Sequence, residues 1–239
     1  MNDDPLLTAR VMEKFSFTAH LLVVLTWLLV ALYMIFFYAP TELTMGNVQR
    51  IFYIHVSSAI TALLAYGCVA VGSVGYLWKR SQRADDWAYA TAEVGFVFCT
   101  CVLVTGPLWA KPVWGIWWTW DARLTSTFVL WLLFISYLML RNYLLNPARA
   151  AVLAAVVTVI GFADSVFDYL SIRFFRTQHP QPVILGGPNS GLDPRMSLTL
   201  LVTWGAFFCL FLYFVRQRME LAEARRELGL ARRELISQA

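Results

Sequence analysis

Charged residues are scarce in this sequence. Only 14% of its 239 residues are charged, whereas 59% are hydrophobic, and a soluble globular domain carries about a quarter charged residues. The deficit comes from long apolar runs, so the composition excludes a soluble enzyme and indicates an integral membrane protein. The net charge of +4 does not indicate nucleic-acid binding. In a membrane protein the distribution of positive charges between the two sides indicates the orientation of the chain.

Cysteine and histidine are scarce too. The four cysteines all lie within apolar runs and never form a C-x-x-C pair, so we interpret them as small buried side chains rather than a metal site or a redox dithiol. Neither a phosphate-binding loop nor a nucleophile with an adjacent base is recognisable. The sequence therefore predicts no ATPase site and no enzymatic centre of its own, and any ATP hydrolysis must come from a partner.

What the sequence does contain is apolar runs long enough to cross a membrane, which takes roughly 20 helical residues for a hydrocarbon core of about 30 Å. They predict an all-α membrane protein with six transmembrane helices, at His20–Ala39, Ile51–Trp78, Ala88–Trp109, Leu124–Leu140, Ala150–Ile172 and Ser197–Val215. The first run is too long for a signal-peptide core and is expected to stay in the mature protein. We expect residues 1–215 to form one transmembrane domain.

Lysine and arginine are distributed unevenly between the two sides of this bundle. The side with both termini carries 13 of them and the opposite side carries 6. Because cytoplasmic segments are enriched in positive charge, the N- and C-termini are predicted to be cytoplasmic. The first, third and fifth loops are then expected to face outward.

Residues 216–239 form a polar tail with a seven-residue repeat. The repeat places Leu221, Leu228 and Leu235 on one line of a helix. Two heptads are too few to indicate a coiled coil. The tail is either a solvated amphipathic helix or a docking helix for a cytoplasmic partner or the membrane surface.

The third loop is unusually rich in tryptophan. Half of the ten tryptophans lie between Trp109 and Trp120, whereas an interfacial aromatic belt would spread them over many helix ends. If the stretch is helical, Trp114, Trp117, Trp118 and Asp121 share one face. We favour an aromatic platform at the outer interface, suited to a flat, largely apolar ligand.

Two of the three histidines are expected on the same side as this platform. His55 lies one turn inside the second helix, and His179 lies in the fifth loop. Haem is a flat ligand whose iron takes axial histidines, and its propionates would suit Arg50 and Arg123. The alternative for the two histidines is a structural role with ordinary hydrogen bonds. The alternative for the two arginines is that their side chains only extend to the membrane interface.

The segment Gly115-x-Trp-Trp-x-Trp-Asp121 resembles the WWD signature of haem-handling membrane proteins. The longer string from Thr105 to Ser126, together with Tyr53-Ile-His-Val and Thr177-Gln-His-Pro, is similar to CcmC, the haem exporter protein C family of the cytochrome c maturation system. The resemblance extends in order from the first helix to the sixth. Departures are Phe174-Phe175 in place of a tryptophan pair and Asp168 in place of an apolar residue, one turn from Asp164.

The resemblance implies a multi-pass protein of the bacterial inner membrane that binds haem b at the periplasmic face and delivers it to the haem chaperone CcmE. Its partners would be the ATP-binding subunit CcmA, the membrane subunit CcmB and the small protein CcmD, besides membrane lipid. The resemblance makes His55 and His179 the axial ligands of the iron. The WWD platform would consist of Trp114, Trp117, Trp118, Trp120 and Asp121, with Arg50 and Arg123 as anchors by our own inference.

Two other functions stay open. A membrane redox enzyme with b-type haem would need histidines that face each other on helices deep in the bilayer. A cytochrome c synthase of the same superfamily is usually larger, or has Pro-Lys after the WWD aspartate, where this chain has Ala122-Arg123.

Overall fold

The computed structural model describes residues 5–179 and 191–238, and side chains within 16–179 and 191–237. These parts of the chain contain six long helices, and each of them is long and apolar enough to cross a membrane. The all-α, six-helix prediction is confirmed. The helices are α1 Pro5–Tyr33, α2 Ile51–Lys79, α3 Gln82–Trp114, α4 Ala122–Tyr143, α5 Pro147–Phe174 and α6 Pro194–Gln238.

The helices are longer than the apolar runs that predicted them, because they continue into polar residues that local caps support. At the start of α3 the Ser81 hydroxyl accepts from the backbone N–H of Ala84, which is the usual role of an N-cap serine. A π-helical segment, Met34–Tyr38, prolongs α1, and a 3-10 turn, Asn47–Arg50, leads into α2.

Helix α2 occupies the centre of the bundle, with α3, α5 and α6 packed against it, while α4 pairs with α5 and α1 packs on α6. Small residues permit these close approaches. A Cβ added to Gly95 would lie 2.7 Å from that of Ala65, and one added to Gly205 would lie 2.6 Å from the Trp27 ring. Such small-residue contacts are typical of helix packing in membranes.

The tryptophan-rich segment is helical as far as Trp114 and is a loop from Gly115 to Asp121. Helix α3 ends at Trp114 because Gly115 adopts a left-handed conformation with φ +78°, a backbone region that glycine enters without strain. Because the residues after Trp114 are not helical, Trp114, Trp117, Trp118 and Asp121 do not share one helical face. Residues 115–121 instead cross from α3 to α4 as an irregular segment.

The tail continues α6 without a break, so the described residues show no structural boundary at residue 215. Two ion pairs join it to α3: Arg218 with Glu93, and Arg226 with Asp86. The tail leucines Leu228 and Leu235 are exposed.

Candidate functional site

His55 lies in the second turn of α2 and is almost completely buried, with 8% of its surface exposed. Its Nδ1 lies 2.9 Å from the hydroxyl of Thr105 on α3, and its ring meets Trp109 edge-on at 5.8 Å. Gly106 lets α3 come this close, since a Cβ there would lie 3.3 Å from His55 Cε1. Helix α3 thus holds the imidazole from one side.

The hydrogen bonds of Thr105 determine which His55 nitrogen carries the proton. The single hydroxyl hydrogen of Thr105 goes to the carbonyl of Cys101, 2.6 Å away, so the hydroxyl oxygen accepts from His55 Nδ1–H. The imidazole lone pair is then on Nε2. A histidine that donates from one nitrogen and presents the other is the usual arrangement of a metal ligand.

Asp121, the last residue of the tryptophan loop, joins three parts of the chain. Its Oδ1 accepts from the backbone N–H of Leu124 at 2.9 Å and caps α4. Its Oδ2 accepts from the hydroxyls of Thr119, at 3.1 Å, and Thr177, at 2.7 Å. Asp121 therefore holds the loop geometry.

The same contact positions His179. Its backbone N–H donates to the Thr177 hydroxyl at 3.0 Å, so the fifth loop is fixed to the tryptophan loop two residues before the histidine. His179 and Arg123 both act electrostatically on the His55 ring, which means that all three groups converge on one region. The structure brings together the two histidines that the sequence singled out.

The tryptophans from position 114 to position 120 differ in packing and exposure. Trp118 and Trp120 meet edge-on, with ring centroids 5.7 Å apart, and Trp120 continues to Phe128 on α4. Trp114 and Trp118 are half-buried, while Trp117 and Trp120 are exposed. We call these four tryptophans the aromatic wall; among them the rings of Trp118 and Trp120 are in contact.

Two indole N–H groups fit a ligand that accepts hydrogen bonds. Nε1 of Trp109 and Nε1 of Trp118 are buried and have no partner among the described residues. Buried indole nitrogens normally find an acceptor. An aromatic wall, unsatisfied donors and an imidazole with its lone pair on Nε2 are together suited to a flat, metal-containing, anionic ligand.

Comparison with known proteins identifies the family of the chain. The sequence profile of the family "CcmC: Heme exporter protein C" matches residues 4–234. The chain belongs to the CcmC family.

Individual CcmC relatives are similar over most of their length. The "Heme exporter protein C" of Bradyrhizobium diazoefficiens is 35% identical over 78% of this chain and 72% of its own. The proteins of the same name from Paracoccus denitrificans and Escherichia coli K12 are 31% and 34% identical, over 82% and 74% of this chain and 83% and 70% of their own. A "Putative cytochrome c biosynthesis ccmC-like mitochondrial protein" of Marchantia polymorpha is 28% identical over 85% of this chain and 87% of its own.

The two arginines of this CcmC-family chain have different surroundings. Arg123 donates to the main-chain carbonyl of Asp168, at 3.3 Å, near the C-terminal end of α5, and it also acts on His55. Arg50 donates to the carbonyl of Ile35 and lies 5.9 Å from the Phe36 ring, so it supports the π-helical end of α1. Both arginines stay predicted anchors for an anionic ligand, and the contacts that the structure shows for Arg50 are with the end of α1.

Sequence reasoning missed three residues of this candidate site. Thr105 orients His55, Trp109 packs against it, and Thr177 fixes the loop of His179. Thr105 and Trp109 are spaced i and i+4, which places them on one face of α3. That spacing could have identified Thr105 and Trp109, but no local pattern relates Thr177 to Asp121.

Proposed function

We propose that this protein binds haem between His55 and His179 and delivers it outside the membrane, as a component of a haem export and cytochrome c maturation complex. The observation that carries the proposal is the Thr105 hydrogen bond, which leaves the lone pair of a buried imidazole on Nε2. Haem b, bound without a covalent link, is the form that two histidines and an aromatic wall can hold and release. Here haem is cargo.

The proposed haem site faces the periplasm of a bacterial inner membrane. Support comes from the charge distribution, which favours cytoplasmic termini, and from the bacterial relatives named haem exporters. The exposed rings of Trp117 and Trp120 leave one edge of the site open to a partner. We propose that this partner is a CcmE-type chaperone.

The proposed complex also contains a CcmA-type ATPase with CcmB-type and CcmD-type subunits. The support is chemical, because the sequence has no phosphate-binding loop with which to use ATP. The redox-enzyme alternative needs a second helical histidine near His55. His20 of α1 lies instead against Tyr213 and Cys209 of α6.

The test is the absorption spectrum of the purified, haem-loaded protein. We expect a low-spin, bis-histidine spectrum that is lost when His55 and His179 are both replaced by alanine. His20→Ala is the matched control, since it removes the third histidine of the chain and leaves the proposed ligands in place. An unchanged spectrum in the double variant would rule out these ligands.

A second measurement tests the aromatic wall. Replacing Trp117 and Trp118 together by alanine removes stacking area, so we expect lower haem content per protein with an unchanged helical circular dichroism spectrum. Haem content equal to that of the unmodified protein would count against the wall.

A further inference from the structure

Lys111 lies in the last turn of α3, directly before the tryptophan loop. Its Nζ donates to the carbonyl of Gly115 at 2.8 Å, and the backbone N–H of Gly115 donates to the Lys111 carbonyl at 3.0 Å. A positive charge is also favourable at this end of a helix, where the helix dipole is negative. The side chain and the main chain of Lys111 therefore both bind the glycine at which the chain leaves α3.

The same ammonium group contacts one indole of the aromatic wall. Nζ of Lys111 lies 5.9 Å from the centroid of the Trp117 ring, which is within the range of a cation–π interaction. Trp117 follows Gly115 by two residues. One ammonium group thus holds both the start of the loop and a ring that the loop carries.

The other rings of the loop are held differently. Trp118 and Trp120 contact each other, and Trp120 also contacts Phe128. Trp117 has no contact with another aromatic ring in the part of the chain that the structure describes, and 55% of its surface is exposed. Because exposed side chains change rotamer rapidly, the orientation of Trp117 depends on the contact with Lys111.

We propose that Lys111 is a positioning residue of the ligand site, which orients the Trp117 ring toward a flat ligand. It acts through Trp117 and does not bind the ligand itself. The orientation of the ring is a property of the ligand-free protein, whereas its consequence for haem rests on the proposed function. The competing role is direct binding of a ligand carboxylate by Lys111, because an ammonium group has three N–H donors and Gly115 takes one.

Oxidation of the ligand-free protein by N-bromosuccinimide, followed by peptide mass spectrometry, tests the orientation of Trp117 without haem. This reagent is an electrophile, and a cation over an indole ring lowers the reactivity of the ring. We expect Trp117 to be oxidised faster in Lys111→Met than in the unmodified protein, and Lys111→Arg, which keeps a cation and a donor, to restore the slow rate. Trp120 is the internal reference, because Asp121 holds the other end of the loop.

Lys79→Met is the matched control, since it removes a lysine from the last turn of α2 and should leave Trp117 unchanged. Equal oxidation rates of Trp117 in Lys111→Met and Lys79→Met would overturn the proposal. Equal acceleration of Trp117 and Trp120 in Lys111→Met would also overturn it, because the whole loop would then have loosened.

Haem titration separates positioning from direct binding. We expect Lys111→Met to weaken haem binding about two- to fivefold, the size of an exposed cation–π contact, and to have no further effect in a Trp117→Leu background, where the ring is absent. The loss should be equal for haem dimethyl ester, which has no free propionates.

A loss that persists in the Trp117→Leu background, or that disappears with the ester, would overturn positioning and assign direct binding to Lys111. Failure of the unmodified protein to bind haem would count against the proposed function. The oxidation rates would still decide whether Lys111 orients Trp117.

Discussion

At the scale of single residues, the property that matters most is the tautomer of His55. An imidazole in an apolar site can carry its proton on either nitrogen, and a metal ligand must present a lone pair. Thr105 decides between the two, because its own hydrogen is already donated to Cys101. One hydroxyl therefore gives a buried histidine the protonation needed for coordination.

Thr105→Val should weaken haem binding about 10- to 100-fold, as loss of a group that orients a metal ligand typically does. It should also lower the free energy of unfolding by about 1–3 kcal/mol, since it leaves the buried Nδ1–H without an acceptor. Haem titration and thermal unfolding measure the two effects. Thr100→Val is the matched control, because Thr100 makes the same kind of backbone hydrogen bond one turn earlier but contacts Trp131 instead of His55. Equal haem affinities of the two variants would refute the role of Thr105.

At the scale of elements, the candidate site combines side chains of α2 and α3 with two loops that are held at the start of α4. Asp121 caps α4 and binds Thr177 with the same carboxylate. The fifth loop thus takes its position from the first turn of α4, which is part of the packed bundle. The position of His179 is therefore defined, although it lies in a loop, because the start of α4 holds Thr177, two residues before it.

Thr177→Val should detach the fifth loop from Asp121 and displace His179, the proposed second axial ligand, while His55 stays in place. We expect the bis-histidine spectrum to change to that of a single histidine ligand, with lower haem affinity and little change in stability. Thr119→Val also removes a hydrogen bond to Asp121 but leaves the fifth loop attached, so it should keep the spectrum. If both variants kept it, His179 would not depend on this contact.

The tail of α6 is an element without contacts to the candidate site in the described structure. Truncation after Arg218 removes the Arg226–Asp86 pair and keeps the Arg218–Glu93 pair. Exposed ion pairs contribute about 0–1 kcal/mol, so we expect unchanged haem content and nearly unchanged thermal stability, with weaker assembly with cytoplasmic partners. Loss of haem from the truncated protein would contradict a separate docking role.

At the scale of the whole molecule, function depends on which face of the bundle carries the site. The spans alternate in direction, so an even number of helices puts both termini on one side. The lysine and arginine distribution predicts that this side is the cytoplasm. The outward loops would then carry the tryptophans, and His55 would lie near the outer surface.

Cysteine labelling in intact cells tests this orientation. Leu43, between α1 and α2, and Leu145, between α4 and α5, both have fully exposed side chains. In a variant without the native cysteines, Leu43→Cys should react with a membrane-impermeant maleimide from outside, and Leu145→Cys should react only after permeabilisation. The reverse pattern would place the proposed haem site in the cytoplasm.

The sequence by itself determined the class of the protein and the number of its spans. The length of an apolar run is a local property of the sequence, and comparing it with the bilayer thickness shows directly whether the run can cross the membrane as a helix. The third loop and the two histidines beside it were also recognisable, because residue type and distance from a span end are local. The sequence left open whether the stretch from Trp114 to Asp121 is a helix or a loop, and the conformation of Gly115, which ends α3 there, decides for a loop.

Only the tertiary structure decided how these residues act. His55 and Thr105 are 50 residues apart, and Asp121 and Thr177 are 56 residues apart, so their contacts exist only once the helices pack. Packing also directed Arg50 to the end of α1 and Arg123 to the end of α5, although each lies within five residues of a predicted site residue in the sequence. Helix packing depends on shape complementarity across the whole bundle, and no local sequence pattern encodes which distant side chains it brings together.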